Sequence, residues 1–311
     1  MTQLSDAALD HLRAAVAPTP PALPERYQLL AELGRGGMGV VYRVRDRVLD
    51  REAALKVMHD TLPDGARERL EREANVLAML EHPGIVPVHD LGMLPDGRPY
   101  YVMKLVHGDT LADRLAQDMP RGDALRVFCR VCDTVAFAHA RGVVHRDLTP
   151  RNVMLGTFGD VLVLDWGVAK VGSAEPGLPV VPGLRGGTGE GAVMGTPGFM
   201  APEQQGAARD VDARADVFAL GRILAAITGD ATGPLCSIVA RATAPDPGAR
   251  YPDATALARD VSAFLDRLPV AAHRESILER LARQAGRHRL ALSLIVVYLL
   301  VRAVIVLAFR R

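Results

Sequence analysis

In the stretch HRDLTPRN, residues 145 to 152, a carboxylate at Asp147 and a carboxamide at Asn152 stand five residues apart. A carboxylate so placed could orient a hydroxyl group and accept its proton. Downstream, VLVLDWG delivers Asp165 at the end of an apolar, strand-like run. Asn152 and Asp165 offer oxygen ligands suited to Mg2+, a hard cation. Upstream, GRGGMGVVY sets Gly34, Gly36 and Gly39 ahead of Val41. Without a Cβ, such residues let main-chain N–H groups approach phosphate oxygens. A dinucleotide-binding turn would need these glycines to open a helix, but the segment that follows is β-like. AALK places Lys56 in a strand two residues after Ala54, and LEREANVL puts Glu73 among apolar neighbours. A buried charge needs a partner. Lys56 and Glu73 would satisfy each other, leaving the ammonium free to hold phosphates. The plainer readings are a glycine turn between strands and a surface lysine.

These groups need rigid elements to hold them. YQLLAEL, GVVYRVRD and EAALKVM read as three short antiparallel strands, and DGARERLEREANVLAMLEH as a helix ending before Pro83. IVPVHDLGML and RPYYVMKLV read as two more strands around the turn PDG. This is a unit of five strands and one helix over residues 25–106. Helices then dominate: TLADRLAQ, residues 123–141, DARADVFALGRILAAITG and DATALARDVSAFLDRL. NVMLGTFGDVLVLDWG reads as a strand pair. Residues 171–198 are rich in Gly and Pro and read as a mobile loop. No internal repeat is present.

With 311 residues the chain can build two units with real cores, and 49% hydrophobic with 23% charged residues suits a folded globular protein. A net charge of +1 gives no reason to expect nucleic acid as a partner. No feature sets an oligomeric state. Three cysteines (129, 132 and 236) fit a reducing compartment better than a disulfide framework. Cys129 and Cys132 lie one turn apart on an apolar-periodic helix. A redox or zinc role would need a βαβ context or a second ligand pair, so they read as small core residues. No secretory signal opens the chain. Residues 1–24 read as a short helix followed by the Pro-rich linker PTPPALPE, which places a boundary near Glu25.

Taken in order and with GTPGFMAPE at 195–203, these motifs resemble a bacterial serine/threonine protein kinase of the eukaryotic type over residues 25–268. The resemblance implies an α+β, two-lobed fold: a small antiparallel-sheet lobe with one main helix at 25–106, and a mainly helical lobe at 107–268. It implies ATP and Mg2+, with Mn2+ as an alternative, and protein substrates. Asp147, Lys56 and Glu73 would be catalytic, with Asn152 and Asp165 on the metal and Gly34, Gly36, Gly39 and Lys56 on the phosphates. Val41 and Ala54 would cover the adenine, Met154 would lie below it and Met103 at the back. Lys104 to Val106 would form the hinge. Glu203 would pair with Arg250, Asp216 would brace the 145–152 loop, and Thr196 would bond near Asp147.

The sequence departs from that pattern in three places. Thr149 stands where serine/threonine kinases carry a lysine that neutralises charge on the transferring phosphoryl group. Arg151, four residues after Asp147, either supplies that charge, as in many receptor tyrosine kinases, or points to solvent. Trp166 replaces the usual Phe of D-F-G, in the same apolar role. Between AAITG and PDPGARYP the chain is short where the family carries a further helix, which leaves substrate docking least defined. Arg146 would meet a phosphorylated loop residue, Thr188 first and Ser173 second. An active enzyme accounts better than a nucleotide-binding pseudokinase scaffold for retention of the whole chemical set.

LALSLIVVYLLVRAVIVLAF, residues 290–309, is long enough at about 1.5 Å per residue to cross a bilayer core of about 30 Å. Fourteen Leu, Ile, Val or Phe, at roughly 0.3–0.6 kcal/mol each, outweigh the cost of Arg302, about 2.5–3.5 kcal/mol. The basic segment 269–289 on the N-terminal side predicts a single-pass helix in the bacterial inner membrane with the kinase unit in the cytoplasm. With only two arginines after the span, no extracellular sensor is expected on this chain.

Overall fold

A computed structural model describes residues 21–36, 39–58, 66–166, 170–171, 196, 198–204, 211–274, 280, 297–298 and 301–302. The chain divides into two compact units. One is Met1–Gly108 with Gly156–Phe158 and Leu164–Gly167. The other is Asp109–Leu155, Gly159–Val163 and Val168–Arg311.

The first unit is built on an antiparallel sheet of β1 (Tyr27–Arg35), β2 (Gly39–Asp46), β3 (Arg51–Met58), β4 (Val88–Met93) and β5 (Pro99–Lys104). Their order is β1-β2-β3-β5-β4. Period-two alternation puts Val40, Tyr42 and Val44 of β2 on one buried face, where they pack with Leu55, Val57, Tyr100 and Val102. β3 is buried along most of its length, so Lys56 enters the interior by position alone. Helix α1 (Ala66–Met79) buries Glu73, Ala74, Val76 and Leu77, spacing that marks one helical face. Leu23 packs on the sheet core and Pro24 accepts a bond from Tyr27. The end of the Pro-rich linker therefore joins this unit, two residues before the boundary placed at Glu25.

In the second unit, short strands β6 (Gly108–Thr110), β8 (Val153–Gly156) and β9 (Val161–Val163) form one sheet. β7 (Val143–Val144) pairs with β10 (Lys170–Val171). α2 (Leu111–Ala116) opens on a capping box between Thr110 and Asp113. α3 (Arg121–Ala140) buries Leu125, Phe128, Val131, Cys132 and Val135. Both α3 cysteines are free thiols. Cys132 is fully buried, Cys129 lies 3.6 Å from Ser262, and burial pushes both thiols up. α4 (Arg214–Thr228) is apolar nearly all round and buried, ending at Gly229 with φ 57°. α6 (Ala254–Leu265) starts on Asp253, whose carboxylate caps Ala256 N–H at 2.7 Å.

The short stretch after AAITG holds a helix, α5 (Pro234–Ala242), with Pro at its first turn and Leu235, Ile238 and Ala242 buried. Nine residues are enough for the i, i+3, i+7 apolar face to dock. The folded unit also continues past Leu268. Buried Asp260 accepts N–H bonds from Ala271 and Ala272 at 2.8 and 3.0 Å and the Tyr251 hydroxyl at 2.7 Å. The loop expected at 171–198 lies outside the described residues apart from Val171, Thr196 and Gly198. So does the apolar segment 290–309, apart from four residues. Among the described residues no helix is long and apolar enough to cross a membrane.

The first unit carries an acid-sensitive joint. Asp46, almost fully buried, takes both ends of the Arg26 guanidinium at 3.0 and 2.8 Å, and the N–H groups of Val48 and Leu49. The Arg26 bonds hold its carboxyl down at about 2, from an ordinary 3.8. A depressed carboxyl stabilises the fold above its ordinary value and loses that contribution as pH falls through the folded value. We expect unfolding temperature to fall between pH 4 and pH 2. Asp46→Asn should be less stable at pH 7 and show a flatter dependence in that window, measured by circular dichroism melts.

Candidate active site

In the first unit the buried Lys56 ammonium meets Glu73 Oε1 and Oε2 at 2.8 and 3.0 Å. It also donates to Asp165 Oδ1 at 3.1 Å. Burial opposes its charge, but Glu73, Tyr101 and Asp165 outweigh it and hold Lys56 well above the ordinary lysine range. The Tyr101 hydroxyl donates to Glu73 Oε1 at 2.9 Å, and burial pushes that phenol well up. Sequence reading missed Tyr101. Its signal is register: β3 and β5 set Lys56 opposite Tyr101. Asp165 has φ 61°, an uncommon backbone for a residue with a Cβ, next to fully buried Trp166. Its carboxylate is half exposed.

The glycines divide by role. A Cβ on Gly34 or Gly36 would meet nothing, so packing does not demand glycine there. On Gly39 it would run into the Val57 carbonyl of β3, so that glycine is required by the sheet. Val41 lies opposite Lys56, and Ala54 opposite Met103. Ala54 is buried, Val41, Met103 and Val106 are half-buried, and Lys104 is exposed. Lys104 N–H bonds the Pro87 carbonyl at 3.1 Å. A main-chain donor to a ligand ring would therefore come from the residues after it.

In the second unit a buried carboxylate organises the loop. Asp216 on α4 accepts N–H bonds from His145 and Arg146, each at 2.8 Å, and meets His139 Nε2 at 2.7 Å. Burial pushes this carboxyl up, but His139, His145 and the Arg146 N–H bring it below the ordinary range. Arg146 has φ 72°, a conformation that persists only where surroundings impose it. Burial lowers its guanidinium, against the pull of Asp216. Gln204 donates to the Arg146 carbonyl at 2.8 Å and accepts from Ala201 N–H at 3.0 Å. His139 and Gln204 were not legible in the motif. A histidine in the last turn of an apolar helix was the available hint.

Asp147 follows. Its Oδ1 accepts both the N–H and the hydroxyl of Thr196 at 2.9 Å. Its Oδ2 bonds no partner among the described residues. The Asn152 amide nitrogen donates to the Asp147 carbonyl at 2.8 Å, which leaves its Oδ1 for a cation. Pro150, Arg151 and Asn152 form one 3-10 turn, after buried Thr149. Arg151 is exposed, and its charge helps hold the Asp113 carboxyl down behind the Thr110 bonds. Met154 on β8 is half-buried opposite Leu162. Arg250 is buried, meets Glu203 at 2.6 and 2.8 Å, and bonds the carbonyls of Arg214, Ala244 and Pro245. Thr188 and Ser173 lie outside the described residues.

Residues 27–234 match the family described as Protein kinase domain. The chain is 44% identical over 210 residues to the DNA damage-responsive serine/threonine-protein kinase RqkA of Deinococcus radiodurans, covering 65% of this chain and 29% of that protein. It is 38% identical over 216 residues to serine/threonine-protein kinase PknB of Mycobacterium leprae, covering 66% and 33%. The matched part spans no more than a third of these curated relatives. Among solved structures, the crystal structure of the Mycobacterium tuberculosis PknI kinase domain is similar with a TM-score of 0.58 and 27% identity, covering 78% of this chain and 98% of that one.

Removing Glu73 takes both of its oxygens from a buried ammonium and leaves it the half-exposed Asp165 carboxylate. Glu73→Ala should lower stability by about 3–5 kcal/mol, and Tyr101→Phe by roughly 1.5–3 kcal/mol, both in urea denaturation. Equal stability of Glu73→Ala and the parent would rule out the pair as a structural support.

Proposed function

Because the chain belongs to the protein kinase family, we propose that it transfers the γ-phosphate of ATP to serine or threonine hydroxyls of protein substrates. One observation carries this reading. Asp147 is fixed through Oδ1 by Thr196, while Oδ2 bonds no partner among the described residues and can meet a hydroxyl. A carboxylate held that way orients the nucleophile and takes its proton as the phosphorus–oxygen bond forms. The proton leaves the substrate oxygen, and ADP leaves with the electron pair of the broken bond.

The family uses ATP with a divalent metal, typically Mg2+. Here Asn152 and Asp165 are the oxygen donors for Mg2+ or Mn2+, which neutralises phosphate charge when bound. Lys56, charged and oriented by Glu73 and Asp165, holds the α- and β-phosphates. At Gly34 and Gly36 no Cβ stands between phosphate oxygens and the backbone, although the Gly36 N–H already bonds the Gly39 carbonyl at 2.9 Å. Arg151, on the same turn as Asn152, supplies the positive charge that Thr149 does not. Val41, Ala54, Met103, Met154 and the backbone of Lys104 to Val106 take the adenine. Thr188, and then Ser173, are the sites for activation-loop autophosphorylation, read through Arg146.

We also place the protein at the bacterial inner membrane, with the kinase unit cytoplasmic. The support is the apolar length of residues 290–309 and the basic segment before them. The protein should remain in the membrane pellet after carbonate extraction, and removal of residues 290–309 should release it. Release of the full chain by carbonate would sink the anchor.

For transfer itself, the full chain should incorporate label from γ-labelled ATP with Mg2+ into itself and into a basic protein, as phosphoserine or phosphothreonine. Asp147→Asn should reduce this by about 10²–10⁴-fold. Arg151→Ala should lower kcat with ATP binding kept. A folded, ATP-binding parent that transfers nothing, also with its loop phosphorylated, would instead indicate a scaffold.

A further inference from the structure

The segment after Thr196 is pinned at three points. Thr196 is bonded to Asp147, and the Gln204 side chain bridges Ala201 N–H and the Arg146 carbonyl. Between them the Gly198 carbonyl accepts Arg222 Nε at 2.7 Å. Gly198 has φ 92°, which most residues would resist, and a Cβ there would meet nothing. Arg222 projects from α4, whose place is set by its neighbour. A Cβ on Gly221 would lie 2.7 Å from Ala242 Cβ and 2.8 Å from Thr243 Cγ2, so α4 and α5 touch there. With residue 221 held against α5, residue 222 is turned about 100° away from it. Arg222 is exposed.

A guanidinium has five N–H donors, and Arg222 uses one. Its two terminal nitrogens bond nothing among the described residues. They stand beside Gly198, two residues and at most about 7 Å of chain from the residue that anchors Asp147. A peptide presenting a hydroxyl to Asp147 has its flanking residues within reach of this fork. The carboxylate of Glu203, five residues on from Gly198, is already paired with Arg250. Planar forks of this kind bind carboxylate and phosphate oxygens with two donors at once.

We propose that Arg222 is a specificity-determining residue that selects substrates with an acidic group, a carboxylate or a phosphorylated side chain, within three residues of the acceptor hydroxyl. This rests on the kinase reading. The Nε bond to Gly198 fixes the fork while the terminal nitrogens meet the substrate. Because Arg222 touches neither the acceptor hydroxyl nor Asp147, its effect falls on KM rather than kcat.

The test is a set of serine peptides carrying Ala, Lys, Asp, Glu or phosphoserine at each position from three before to three after the acceptor. They are assayed with the full chain and its Arg222→Lys, Arg222→Gln and Arg222→Glu variants. We expect the parent to favour an acidic residue at one position by about fivefold in kcat/KM, as for an exposed charge pair, and to lose most of this at high salt. Asp and Glu against phosphoserine distinguish the two sources of charge. Lys should keep the preference, Gln abolish it and Glu reverse it toward Lys-bearing peptides. A residue that only supports the loop would lower all rates together without reversing their order. Equal use of all peptides by the parent, or a ratio unchanged in Arg222→Glu, would overturn the inference while leaving the kinase reading intact. If no peptide is phosphorylated, the kinase reading fails, and anisotropy of fluorescein-labelled acidic and neutral peptides decides the Arg222 inference separately. Tighter binding of the acidic peptide by the parent and not by Arg222→Glu supports it, and equal binding overturns it.

Discussion

The arrangement of the second unit depends on one buried carboxylate. Asp216 is wholly enclosed on an apolar helix, where an unpartnered charge would be costly. It is satisfied by two main-chain N–H groups and a histidine. Those two bonds run to His145 and Arg146, the residues just before Asp147. The need to satisfy a charge in the core therefore sets the backbone of the loop that carries the chemistry. Arg146 can hold φ 72° because its N–H is drawn to Asp216 and its carbonyl to Gln204. An uncommon conformation on one side of Asp147 is stabilised by bonds from helix and loop together.

The first unit solves a similar problem with opposite charges. Lys56 lies inside because β3 is buried, and its ammonium stays protonated because Glu73 and Asp165 face it. Tyr101 donates to Glu73, which leaves the carboxylate oriented as well as neutralised. The strained residue here is Asp165, so each unit keeps one left-handed, side-chain-bearing residue at its candidate site.

One departure from the family pattern is electrostatic. Thr149 is buried where the resemblance implies a cation, and Arg151 presents one on the exposed side of the turn that follows. Arg222 adds another, anchored by its own Nε to the segment that begins at Thr196. Trp166 replaces a smaller ring and is nevertheless fully enclosed.

The glycine run, Lys56, Asp147, Asn152, Asp165 and the alternation of the five strands were legible in the sequence, because each is a local pattern of residue type and spacing. The pairing of Lys56 with Glu73 was legible too, since a charge on an apolar face demands a partner. Tyr101, His139, Gln204 and Arg222 were not, because what makes them matter is contact between segments far apart in the chain. Tyr101 depends on strand register, and Arg222 on a glycine that lets two helices touch. The helix at 234–242 was hidden for a related reason: nine residues carry too weak a period alone and form a helix by docking Leu235 and Ile238. The sequence by itself determined the chemistry available and the elements that carry it. Only the tertiary structure decided which donors satisfy each buried charge, because satisfaction depends on distances that residue order does not encode.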